Sequence, residues 1–124
     1  MNELWTRVAN AVRRVQSGVR WKPGKDVQHL RRRIDLGHLA HGATGDEYQA
    51  IIAAILSDPL ADVFIYSWGD TLYPTVVAEY GGRHWLVMFS LSGVMETAFP
   101  PDDPGEYLSD PRFQRLSTLR ELLS

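Results

Sequence analysis

Apolar residues at Leu4, Trp5, Val8, Val12, Val15 and Val19 recur at helical spacing, and arginines fill the other faces. This predicts an amphipathic first helix ending near Ser17-Gly18, then a turn at Trp21-Lys22-Pro23-Gly24. Val27, Leu30 and Ile34 share one side of a short second helix, roughly residues 26–34. Arg31, Arg32 and Arg33 spread over three faces of that helix, so they do not all reach one ligand. Thr44-Gly45-Asp46-Glu47 has the form of a capping box, with Thr44 as N-cap and Glu47 reaching back to its amide. The helix it opens carries Tyr48, Ile51, Ile52, Ile55 and Leu56 on one stripe and stops at Ser57-Asp58-Pro59.

Beyond that point the pattern changes to short runs rich in β-branched and aromatic residues, at 63–68, 73–80, 83–90 and 94–99. Gly69-Asp70, Gly81-Gly82 and Ser92-Gly93 separate them, and connections this short require antiparallel neighbours. With Gly81-Gly82 as a two-residue turn, Glu79 faces His84, Val77 faces Leu86 and Thr75 faces Met88. The opposite face, with Ala78, Trp85, Val87 and Phe89, is the more apolar and is expected to pack on the helices. The face holding Thr75, Glu79 and His84 is expected to be partly open, with Thr97 joining it. A loop at Asp102-Asp103-Pro104-Gly105 precedes a last helix, starting at Asp110-Pro111 and burying Phe113, Leu116, Leu119 and Leu123. The fold class is α+β: two to three N-terminal helices, a four-stranded antiparallel meander and a C-terminal helix.

The 124 residues fit one domain, divided into a basic helix and turn (1–24), a core (25–108) and the last helix (109–124). There is no cysteine, which excludes disulfides, thiolate metal sites and cysteine nucleophiles. No apolar run approaches the roughly 18–20 residues that span a bilayer, so no membrane association is expected. With no secretory leader at the N-terminus, a cytoplasmic protein is expected, or else a domain delivered from a larger exported one. The net charge of −2 conceals a segregation. Residues 1–34 carry nine cations and two anions, the remainder four cations and thirteen anions. Such a basic third suits a polyanion, or it is a set of solvated helix faces with the acidic part of the same fold as partner.

Candidate chemistry centres on His38 and His41, just ahead of the capping box. Imidazole titrates near neutrality, so these two suit acid–base work. They also suit a structural role in the loop, or a His-x-x-His metal pair that lacks a general-base glutamate and an evident third ligand. On the sheet, Glu79 and His84 with a nearby hydroxyl suit proton transfer at a phosphate, or simply form a cross-strand pair.

The order Gly37-His38-Leu39-Ala40-His41-Gly42, then Thr44-Gly45-Asp46-Glu47-Tyr48 opening a helix, then a meander ending in Val94-Met95-Glu96-Thr97-Ala98-Phe99-Pro100-Pro101, resembles a known superfamily. It is similar to the metal-independent RNases that group barnase, EndoU, colicin-type tRNases and many bacterial toxin domains. The resemblance covers about residues 25–108 and implies RNA cleavage by attack of the ribose 2′-OH on the adjacent phosphate, with no cofactor. It implies His41 or His38 as general acid–base, Thr97 as the late-strand hydroxyl on the phosphate, and Arg31, Arg32 and Arg33 as backbone-phosphate contacts. The expected strands offer a cation only at Arg83, so an arginine of the basic helix must reach the site, or the fold lacks the activity. The implied partners are RNA, tRNA included, and a cognate immunity or antitoxin protein. The alternative is a non-catalytic partner of a nuclease, in which acidic surface and aromatics such as Tyr66, Trp68 and Tyr107 mask a basic protein.

Overall fold

A computed structural model describes residues 2–124. Three helices come first: α1 (Glu3–Ser17), α2 (Lys25–Asp35) and α3 (Gly45–Ser57). The Asn2 side chain caps α1, accepting from the Trp5 N–H at 2.7 Å. Val8, Ala11, Val12 and Val15 form its buried stripe. The helix ends at Ser17, where the sequence predicts, and Val19 lies beyond it. The segment after the helix meets the sheet, with the Met95 N–H donating to the Arg20 carbonyl at 2.8 Å. The capping box of α3 is formed as expected: Thr44 Oγ1 accepts from the Glu47 N–H, and a Glu47 carboxylate oxygen accepts from the Thr44 N–H.

Strands β1 (Asp62–Trp68), β2 (Thr71–Tyr80), β3 (Arg83–Phe89) and β4 (Met95–Phe99) form the expected meander. Gly81 and Gly82 both take positive φ, the geometry of a tight hairpin turn, and this fixes the register. Glu79 pairs with His84, Val77 with Leu86 and Thr75 with Met88.

The C-terminal part departs from expectation. A short helix α4 (Pro104–Leu108) precedes a fifth strand β5 (Phe113–Thr118), and the final helix α5 (Leu119–Leu123) begins only after it. The helical reading of 110–124 was misled by a bulge. β5 pairs with β1 through Tyr66–Phe113, Phe64–Arg115 and Val63–Ser117, leaving Leu116 as the extra residue. That slip puts Phe113, Leu116 and Leu119 three apart, which mimics a helical stripe. Asp110 does not cap a helix; it turns the chain into the strand, accepting from the Arg112 N–H at 2.9 Å. A second capping box, Thr118 with Glu121, opens α5, which buries Leu119 and Leu122 while Leu123 stays half-buried.

The strand order is β4-β3-β2-β1-β5, all neighbours antiparallel. α1 and α3 cover one face, against Val63, Ile65, Val76, Ala78, Trp85, Val87 and Phe89. β4 and β5 lie at opposite edges, so the 100–112 connection must cross the whole sheet, about 19 Å at the usual strand spacing. With helices on one face, it crosses the other. Leu108 and Phe113 therefore close a second core over Val77, Leu86 and Met88. The expectation of an open face there fails in its centre: Thr75 is wholly buried, its hydroxyl donating to the Tyr73 carbonyl at 3.2 Å. The hairpin end stays open, where Glu79 and His84 are exposed.

Leu86 has no exposed surface, whereas Val27 on α2 is 56% exposed. Leu86→Ala is expected to lower stability in urea unfolding by about 2–5 kcal/mol, and Val27→Ala by less than about 0.5 kcal/mol. Equal effects would show that the second face is not a closed core.

Candidate functional site

α2 packs between α3 and the β4 edge, and its inward stripe is not apolar throughout. His29 and Arg33, one turn apart, share that stripe with Leu30 and Ile34. Arg33 is only 3% exposed, and its Cζ lies 5.3 Å from the centroid of the Phe99 ring. Among the described residues its Nε and Nη1 have no hydrogen-bond partner, and it joins no ion pair. Burial pulls the guanidinium below its usual range, chiefly by desolvation, but an arginine at neutral pH stays charged. A buried cation without a carboxylate costs several kcal/mol, so its retention here calls for a reason outside packing.

His29 sits beside it. Its ring lies 5.1 Å from that of Trp21, whose Nε1–H is held by Gln49 Oε1 at 3.1 Å. Nδ1 of His29 is 3.5 Å from Thr97 Oγ1, at the outer limit of a hydrogen bond. Thr97 is positioned by its strand: it pairs with Met88, and the neighbouring Ala98 carbonyl accepts from the buried Tyr48 hydroxyl.

The Gly37-His38 step is the C-terminal cap of α2. The Gly37 N–H donates to the Ile34 carbonyl at 3.0 Å and the His38 N–H to the Arg33 carbonyl at 2.8 Å. That is a Schellman motif, and it requires the positive φ of 74° that Gly37 adopts. It folds the chain back so that His38 stands beside Arg33. His38 Nδ1 is buried and has no partner among the described residues.

Arg32, Arg33, His38, Thr97, Phe99 and Asp102 line a hollow of about 330 Å³. Both nearby imidazoles are held below their ordinary range. For His29 the causes are burial, then the charges of Arg33 and Lys25, opposed by Glu96. For His38 they are burial, then Arg33 and Arg83, opposed by Asp102. The hollow therefore favours neutral rings beside fixed positive charge, an environment suited to proton transfer at an anion.

The residues expected from sequence divide as follows. His38, Thr97, Arg33 and Arg32 come together. Arg83, at the start of β3, is exposed but near enough to bias His38. His41 and Arg31 are exposed and do not line the hollow. His84 is four residues from Met88 along β3, about 13 Å at the usual rise, so the Glu79–His84 pair lies away from Thr97. His29 was missed by sequence reading. Its signal was the i, i+4 spacing to Arg33 on the face of α2 that should have been apolar. Among the described residues no group of acidic and histidine side chains could hold a metal ion.

Comparison with protein-family models, with curated proteins and with solved structures gives no match to this chain. No helix among the described residues is long and apolar enough to cross a membrane.

The depressed imidazoles link stability to pH. Between the ordinary histidine pKa of 6.5 and the lower folded values, the unfolded chain binds more protons than the folded one. Stability therefore falls as pH drops from 6.5 through that window. A melting temperature that declines between pH 7 and 5, with a shallower decline in His29→Gln/His38→Gln, is the expected outcome. An unchanged slope in the double variant would contradict the assignment.

Proposed function

We propose that this chain is a metal-independent endoribonuclease, toxin-like in its action on cytoplasmic RNA. The reading rests on one observation: a buried arginine, whose Nε and Nη1 have no partner among the described residues, lines a hollow together with His38 and Thr97, and His29 Nδ1 lies 3.5 Å from the Thr97 hydroxyl. A phosphodiester supplies the missing acceptors, so binding substrate would relieve the cost of Arg33. The basic third of the chain supports the same substrate. Among the described residues both ion pairs, Asp110–Arg112 and Asp62–Arg115, lie outside residues 1–34, so no carboxylate contact neutralises those cations.

The roles follow from chemistry and placement. His29, neutral and held by Thr97 and Trp21, takes the proton from the ribose 2′-OH, and O2′ attacks phosphorus. The pentacovalent transition state gains negative charge on its non-bridging oxygens, which Arg33 and the Thr97 hydroxyl stabilise. The negative charge of the bound phosphodiester offsets those of Arg33 and Arg83 at His38 and favours its protonated form, which gives a proton to the departing O5′. The products are a 2′,3′-cyclic phosphate and a 5′-hydroxyl. Arg32 and Arg83 contact flanking phosphates. His41, expected from the resemblance as the acid–base residue, is left without a part in this scheme.

Incubation with RNA in EDTA should yield fragments ending in 2′,3′-cyclic phosphate. His29→Ala should reduce the rate about 10²–10⁴-fold, while His41→Ala should stay near wild type. Arg33→Met should abolish cleavage without lowering the melting temperature, because it replaces an unpaired buried charge with hydrocarbon of similar length. Full activity in His29→Ala, or intact RNA under all conditions with the wild type, would refute the proposal.

A further inference from the structure

The 100–112 crossover encloses a second, larger hollow of about 780 Å³ on the sheet face away from α1 and α3. Its walls are aromatic. Ring centroids run from Phe99 to Tyr107 (5.4 Å), Tyr107 to Phe113 (5.6 Å) and Phe113 to Tyr66 (4.7 Å). Its charges are acidic: Asp102, Asp103, Glu106 and Asp110 line it, against the single cation Arg112. That cation is already spoken for, in a two-bond pair with Asp110 at 2.6 and 3.0 Å. Its guanidinium also lies 5.4 Å from the Tyr66 ring and 5.3 Å from that of Trp68. The fold thus shows, with its own side chain, how this surface accommodates a guanidinium: over the rings, with a carboxylate paired to it.

Tyr107 remains 39% exposed, and neither the Asp102 nor the Glu106 carboxylate takes part in an ion pair among the described residues. An anionic strand is disfavoured here by the carboxylates, and a purely apolar partner would leave them desolvated. We infer that the hollow is a docking surface for an arginine-bearing segment of another protein, whose guanidinium seats on Tyr107 beside Asp102 and Glu106. The hollow shares Phe99, Pro101 and Asp102 with the site around Arg33, so the two adjoin. A segment lying in it would stand at the mouth of that site. This consequence for RNA cleavage rests on the proposed function; the binding does not.

The test uses a short arginine-containing peptide and its citrulline counterpart, which has the same shape without the charge. Binding is followed by amide chemical shifts of the full chain and by peptide anisotropy. The arginine peptide should shift Tyr66, Tyr107 and Phe113 and bind about tenfold or more tightly than the citrulline peptide. Asp102→Asn/Glu106→Gln, at two exposed positions, should lose that preference while keeping the dispersed spectrum of the folded chain. No binding, equal binding of both peptides, or shifts confined to other surfaces would overturn the inference. So would a single-stranded RNA oligonucleotide that shifts the same three residues more strongly than the peptide. Failure of RNA cleavage alone, with the peptide preference intact, would count against the nuclease reading and leave this one standing.

Discussion

A single unneutralised charge governs the arrangement of this molecule. Arg33 lies inside the fold with an aromatic ring beneath it and no carboxylate beside it. Removing a guanidinium from water is costly, and the Phe99 ring returns only part of that cost. Several neighbouring features are arranged around it. The Schellman cap brings His38 back over the last turn of α2, and its backbone bonds go to the Arg33 and Ile34 carbonyls. Burial, and after it this positive charge, biases both His38 and His29 toward their neutral forms. Helix capping, imidazole chemistry and strand placement thus meet at one side chain. Packing alone would favour a hydrocarbon at this position.

The second constraint is topological. A four-stranded meander would have left one sheet face open and let the chain end on a helix. The fifth strand instead pairs with β1, at the far edge from β4. The connection between them must traverse the sheet, and the helices leave it only one side. Both hollows are products of that traverse. Its first residues, Pro100 to Asp102, wall the hollow around Arg33, and its later ones wall the aromatic hollow. The crossover also converts an exposed surface into a second core, which explains why Leu86 and Met88 are buried although they lie opposite the helices.

How much of this was legible in the sequence depended on how local the determining interaction was. The capping box at Thr44 and the Gly81-Gly82 hairpin are short-range devices, and both came out with the expected partners. The strand at 113–118 did not, because its alternation is broken by a bulge that only its pairing with β1 explains. Thr75 was expected on an open face because nothing within β2 reports that a segment 25 or more residues later will cover it. The site divides the same way. Thr97 was marked only through the family resemblance and its place on the last strand, and His38 through the same resemblance and its closeness to His41. His29 was hidden, since its meaning comes from α2 lying against the edge of β4, and that packing is long-range.

Charge segregation along the chain becomes segregation in space through the same packing. α1 and α2 carry most of the cations, and α2 is set against the β4 edge, so fixed positive charge collects around Arg33, His29 and His38. The crossover carries Asp102, Asp103, Glu106 and Asp110 to the adjoining surface. These opposite fields do not cancel by contact, because the ion pairs among the described residues are local to the acidic part. Over a separation comparable to the Debye length they are only partly screened at physiological salt. A polyanion approaching the first surface is therefore steered away from the second. A cationic segment is steered the other way, toward the hollow whose wall it shares with the site. The residues at that shared wall, Phe99 and Asp102, are where the two kinds of ligand would meet.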